Sequence, residues 1–192
     1  MLLLGTVLAT GLVGCGWQSI PQTKNNVDAA LAEVTNQYKR RSDLIPNLVQ
    51  VVKGYAQHEK STLEGVIEAR AKATQMVIDP SKVTAKQLQD FQAAQGGLSQ
   101  ALGRLMVVSE QYPQLKADQN FRDLQAQLEG TENRTTIARQ RYIEAIKEFN
   151  NLVAVPPTSW TNSIIYKFEK MPQWDVSAAE KETVEKPPEI KF

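Results

Sequence analysis

Between Val27 and Ala56 the apolar residues Val27, Leu31, Val34, Tyr38, Ile45, Val49, Val52 and Ala56 recur at spacings of three, four or seven, the signature of one buried face of an α-helix. At about 100° per residue, position 41 falls inside that stripe, and it holds Arg41 rather than an apolar side chain. Arg40, Asp43 and Asn47 lie together on roughly the opposite face. A stripe this long needs other helices to cover it. An arginine within it needs a carboxylate, because an unpaired buried charge is very costly.

The rest of the chain is equally helical in character. It is rich in helix formers, and no long alternating β-branched segment competes with them. At 192 residues one domain with tails is expected. Lys+Arg 22 against Asp+Glu 21 leaves a net charge of +1, which gives no electrostatic case for nucleic acid. One Cys excludes an intramolecular disulfide and one His excludes a His-based metal cluster.

Met1 to Gly14 is apolar, small and uncharged. It is short for a membrane span, which needs ~20 residues, and it matches the hydrophobic region of a signal peptide. It ends in Leu12-Val13-Gly14-Cys15, which resembles a bacterial lipobox, so residues 1–14 are expected to be removed and Cys15 to carry lipid. The absence of a Lys or Arg before the apolar run departs from that pattern, and an uncleaved anchor is the alternative. Trp17 is a candidate for the lipid–water interface. Residues 15–26 then read as a lipid-anchored linker.

Four helical segments follow, with a bundle over 27–152. The first is expected from about Val27 to His58, kinked rather than broken at Pro46, which removes the donor to Ser42. The second begins near Ser61, where Ser61 and Glu64 have capping-box spacing. It carries Leu63, Val66, Ile67 and Met76 inward and stops before Asp79-Pro80. Thr84 and Gln87 form another capping box, opening a third helix with Leu88, Phe91, Leu98, Leu102, Leu105 and Val108 as its stripe. The fourth, from about Asp118 to Leu152, keeps a coiled-coil-like seam from Phe121 to Leu152. Two long helices enclosing two shorter ones predict an all-α, up-down-up-down antiparallel four-helix bundle.

Glu132 and Arg139 stand two turns apart on one edge of that seam, with Arg134 and Arg141 on the other. Glu132 is the candidate partner for Arg41, and Arg41, Glu132 and Arg139 are grouped as a register-fixing polar set. The outer Arg40, Asp43 and Asn47 are either solvated or a docking face. His58 is isolated near a helix end, and no phosphate loop, metal-ligand cluster or Ser/His/Asp set is visible. No enzyme activity, cofactor or metal is expected.

Residues 153–192 form an aromatic segment and an acidic, Pro-containing tail expected to be extended. Trp160, Ile164, Ile165, Phe168, Met171 and Trp174 alternate with Lys167 and Lys170. An antiparallel bundle returns its fourth helix to the end where the first began. Trp17, Trp160, Ile164, Phe168 and Trp174 are therefore candidates for a membrane-interface patch. The rival is a hydrophobic plug over the base of the bundle.

Arg40-Arg41-Ser42-Asp43-Leu44-Ile45-Pro46-Asn47-Leu48-Val49, Val52-Lys53-Gly54-Tyr55-Ala56-Gln57-His58-Glu59, Glu110-Gln111-Tyr112-Pro113-Gln114-Leu115-Lys116-Ala117, and Thr131-Glu132-Asn133-Arg134 with Ala138-Arg139-Gln140-Arg141-Tyr142 together resemble the LemA family of bacterial membrane-associated proteins. The terminal Lys191-Phe192 fits as well. The resemblance implies a helical bundle tethered by an N-terminal membrane segment. It carries over no catalytic residues, because the family has no agreed biochemical function. The lipobox departs from the family's longer uncleaved helix, and Ile143 stands where an Asn commonly follows the tyrosine. The expected function is a lipid-anchored scaffold or interaction protein of the cell envelope, on the extracytoplasmic side, with an outer-membrane destination compatible with Gly16. Its partners would be the bilayer, through Cys15, and another protein. A membrane-organising role through the aromatic base is the alternative.

Overall fold

The computed structural model describes residues 18–174, all of whose regular elements are helical. They are α1 (Ser19–Tyr55), α2 (Lys60–Gln75), α3 (Ala85–Ser109), the short α4 (Pro113–Ala117), α5 (Gln119–Ala154), the single turn α6 (Thr158–Thr161) and a π-helical turn over Asn162–Tyr166.

The expected linker up to Asn26 is corrected: from Ser19 onward it is the first two turns of α1. Pro21 is tolerated because it lies in the first turn, where backbone N–H groups have no intrahelical acceptor anyway. Ile20 then joins the core. The other end of α1 is Tyr55 rather than His58, with Ala56 buried as its cap and His58 exposed in the turn that follows.

The capping box expected at Ser61 and Glu64 does not form; Glu59 caps α2 without a side-chain bond. Ile67 faces out, 53 % exposed, where an inward position was expected. At α3 the box is present: Gln87 N–H donates to Thr84 Oγ1, and Thr84 N–H donates to Gln87 Oε1. Asp118 caps α5 by accepting from Phe121 N–H.

α1 and α5 pack along most of their length, and α2 packs on α3 and on α1. Hydrogen bonds give the direction of the long pair: Gln37 meets Arg134, Arg41 meets Glu132, and Tyr55 meets Asp118, so partners descend α5 as they ascend α1. The core is divided into two clusters. One holds Ile45, Leu48, Val52, Leu63, Leu98, Leu105, Leu115 and Phe121 at the turn end. The other holds Ile20, Val27, Leu31, Tyr38, Phe91, Tyr142, Ile146 and Phe149 at the end where α1 begins.

Candidate functional site

Between the two clusters every long helix contributes a polar side chain. Arg41 and Ser42 separate Tyr38 from Ile45 on α1, Gln95 separates Phe91 from Leu98 on α3, and Thr131, Glu132 and Thr135 precede Ala138 on α5. Arg41, 3 % exposed, donates from Nη1 to Glu132 Oε2 at 2.9 Å and from Nη2 to Ser99 Oγ at 2.8 Å. Its carboxylate partner is half exposed, so one side of the pair is sealed and the other is wet. Thr131 and Thr135 turn their hydroxyls back to carbonyls of the preceding turn, which lets them sit on an apolar seam without a buried unsatisfied donor.

Arg139 does not join this layer. It donates to Thr136 on its own helix, because seven residues carry it one heptad toward the base and out of reach of Arg41. Arg70 on α2 is the residue that sequence reasoning missed. α1 runs through Pro46 as one continuous helix, and Pro46 has no N–H to give the Ser42 carbonyl. Arg70 Nε fills that vacancy at 2.8 Å. A proline inside an amphipathic stripe signals an orphan carbonyl four residues earlier, but not which helix answers it.

Two concavities flank the layer. One, of about 410 Å³, lies between α1, α3 and the end of α2, and is bordered by Tyr38, Asp43, Met76, Phe91 and Gln95. The Oε1 of Gln95 is buried with no partner among the described residues. The other, of about 300 Å³, opens between α3 and α5 over Arg41, Ser99, Gly103 and Glu132. Arg40, Asp43 and Asn47 are exposed on the outside of α1 and make no hydrogen bond or ion pair with the described residues. Among those residues no group of His, Cys, Asp and Glu is placed to hold a metal, and no helix is long and apolar enough to cross a membrane.

The base is built differently. After α5 the chain turns through α6 and the π-turn, reverses at Lys167 (φ 54°), and runs back along α5. Two asparagines hold it. Asn162 donates to the Phe168 carbonyl at 2.9 Å and accepts from Phe168 N–H at 3.0 Å. Asn150 does the same for Met171, at 3.0 and 2.8 Å. Phe168 packs edge-on against Phe149, and Trp174 against Tyr142.

The proposed interface residues are thus split. Phe168 and Trp174 are corrected to core-facing positions, because the two clasps turn their backbone toward α5. Trp160 (64 % exposed) and Ile164 (77 %) face outward beside Val155 and Ile165. Trp17 and Cys15 lie outside the described residues. Burial and the nearby Asp28 carboxylate push the Tyr142 phenol up to about 12, and its hydroxyl has no hydrogen-bond partner among the described residues.

No curated protein matches the chain. The family comparison does: the LemA family profile matches residues 30–192, which takes in the polar layer, the turn end and the aromatic base. On that match the chain belongs to the LemA family.

Proposed function

We propose that this protein is a lipid-anchored, non-enzymatic scaffold of the bacterial cell envelope, an up-down-up-down four-helix bundle bent at Pro46 and held outside the cytoplasm by acylation of Cys15. The observation that carries the reading is α1 itself. It starts four residues after Cys15 and continues unbroken to Tyr55; its 37 residues make a rod of roughly 55 Å at 1.5 Å per residue. Such a rod joins an anchor to a distal tip. The polar side chains in its middle are committed to holding neighbouring helices, while Arg40, Asp43 and Asn47 point outward without partners. The register-fixing layer keeps that face in one orientation, and a protein partner meets it there.

Intact mass and fractionation of the natively expressed protein, beside Cys15→Ala, test the anchor. A mature chain beginning at Cys15 with added acyl mass is expected. An unprocessed chain of full mass, unaffected by the substitution, overturns it. Site-specific crosslinking from position 43 tests the scaffold: a discrete adduct that disappears on Arg40→Glu is expected, and no adduct in intact cells overturns it. The second reading, a protein that organises the membrane through its base, is favoured by the outward Trp160 and Ile164. Deformation of vesicles by the full chain would support that reading over the first.

A further inference from the structure

Two chain stretches, one leading into α1 and one forming the base turn, carry no charged side chain, although the α2–α3 connection brings Asp79 near Lys24 at the same end of the molecule. No Asp, Glu, Lys or Arg occurs from Met1 to Thr23, and none from Phe149 to Tyr166. The second stretch divides cleanly in the fold. Phe149 and Tyr166 join the core, while Val155, Trp160, Ile164 and Ile165 are left 44–77 % exposed. These four do not hang from a loose end. Asn162, 6 % exposed, clasps the Phe168 backbone on both its N–H and its C=O, and the left-handed Lys167 turns the chain back under it. The outcome is a shaped turn with apolar side chains held outward. Four apolar side chains held outward on one short, fixed turn are candidates for an interaction surface.

The chain also says what covers it. α1 begins at Ser19, and the four residue steps from Cys15 span at most about 14 Å fully extended. Once Cys15 carries lipid, the first residue of α1, at the same end of the long helix pair as the base turn, can lie no farther than that from Cys15. Resting on the earlier proposal that Cys15 tethers the chain, we infer that Val155, Trp160, Ile164 and Ile165 form a wedge seated in the bilayer interface. Trp160 sits at headgroup level, where tryptophan is favoured. The isoleucines reach the acyl boundary, a depth of about 5–10 Å for interfacial apolar faces. Lys167 and Lys170, both exposed at the rim, meet anionic headgroups while their stems stay over apolar surface. Glu169 between them is exposed and faces water. Phe168 and Trp174 do not insert, because they are occupied against Phe149 and Tyr142.

The test uses the full acylated chain in two versions that keep only Trp160 or only Trp174, the other tryptophans being Phe. They are reconstituted in phosphatidylethanolamine–phosphatidylglycerol vesicles with brominated acyl chains. Trp160 should shift to the blue and lose most of its emission, while Trp174 keeps its own. Ile164→Asp with Ile165→Asp, at positions already exposed, should restore Trp160 emission while helicity and vesicle co-sedimentation persist. Unquenched Trp160 in protein that still co-sediments overturns the wedge and leaves the tether standing. Protein that stays in the supernatant overturns both. Trp160 shielded from acrylamide without vesicles, with doubled mass in sedimentation, assigns the patch to a second copy and overturns the wedge.

Discussion

Ser42 loses its intrahelical donor to Pro46 and regains one from Arg70. The two residues are therefore coupled through a single carbonyl oxygen. Arg70→Ala should cost about 1.5–3 kcal/mol, the range for a hydrogen bond with a charged donor. The loss should shrink markedly in a Pro46→Ala background, where the new N–H satisfies Ser42. Equal losses in both backgrounds, measured by urea denaturation, would remove the coupling.

Arg41 and Glu132 differ in another way. Glu132→Ala strands a sealed guanidinium and should cost about 3 kcal/mol. Arg41→Met keeps the volume, leaves Glu132 half in water, and should cost about 1 kcal/mol or less. The opposite order would place the desolvation on the wrong partner.

Tyr142 makes stability fall at high pH. Its folded phenol is raised from 10.0 to about 12, so between these values the unfolded chain releases a proton that the folded one retains. Its contribution is present below pH 10 and is lost as pH rises toward 12. A Tyr142→Phe variant should lack this part of the decline in a denaturation series.

At the scale of elements, the Thr84–Gln87 box was readable because capping is local: two side chains three residues apart answer each other's backbone. The similar spacing at Ser61 and Glu64 was misleading because α2 begins at Lys60, which puts Ser61 inside the helix rather than at its cap. The start of α1 was missed because Pro21 and two asparagines look like a linker. Only the burial of Ile20 beneath the base explains why the helix extends that far.

The returning tail is the least local element. Residues 167–174 form no regular structure after the π-turn and depend on Asn150 and Asn162 for direction. Asn150→Ala should release Met171 and Trp174 while the helices remain. Faster amide exchange at Met171 and a red-shifted Trp174 emission, with unchanged far-ultraviolet dichroism, would register this. Retained protection at Met171 would mean that aromatic packing alone holds the tail.

Across the whole molecule, the polar layer separates two apolar clusters that share few side chains. Ile45 belongs to one and Ile146 to the other, both fully buried. Ile45→Val and Ile146→Val should each cost about 1 kcal/mol, and the double variant should equal their sum within about 0.5 kcal/mol. A larger coupling in chemical denaturation would mean that the layer transmits packing strain between the clusters.

The periodicity of the sequence by itself determined that the chain is helical, which face of α1 and α5 is buried, and that a carboxylate must meet Arg41, because these follow from spacings within one helix and from the cost of an unpaired charge. Only the tertiary structure decided that Arg70 answers the carbonyl Pro46 leaves open, that Arg139 stays outside the layer, and that the aromatic segment faces two ways. Each depends on which atoms from distant parts of the chain arrive at the same few ångströms, a relation that spacing within one helix does not encode.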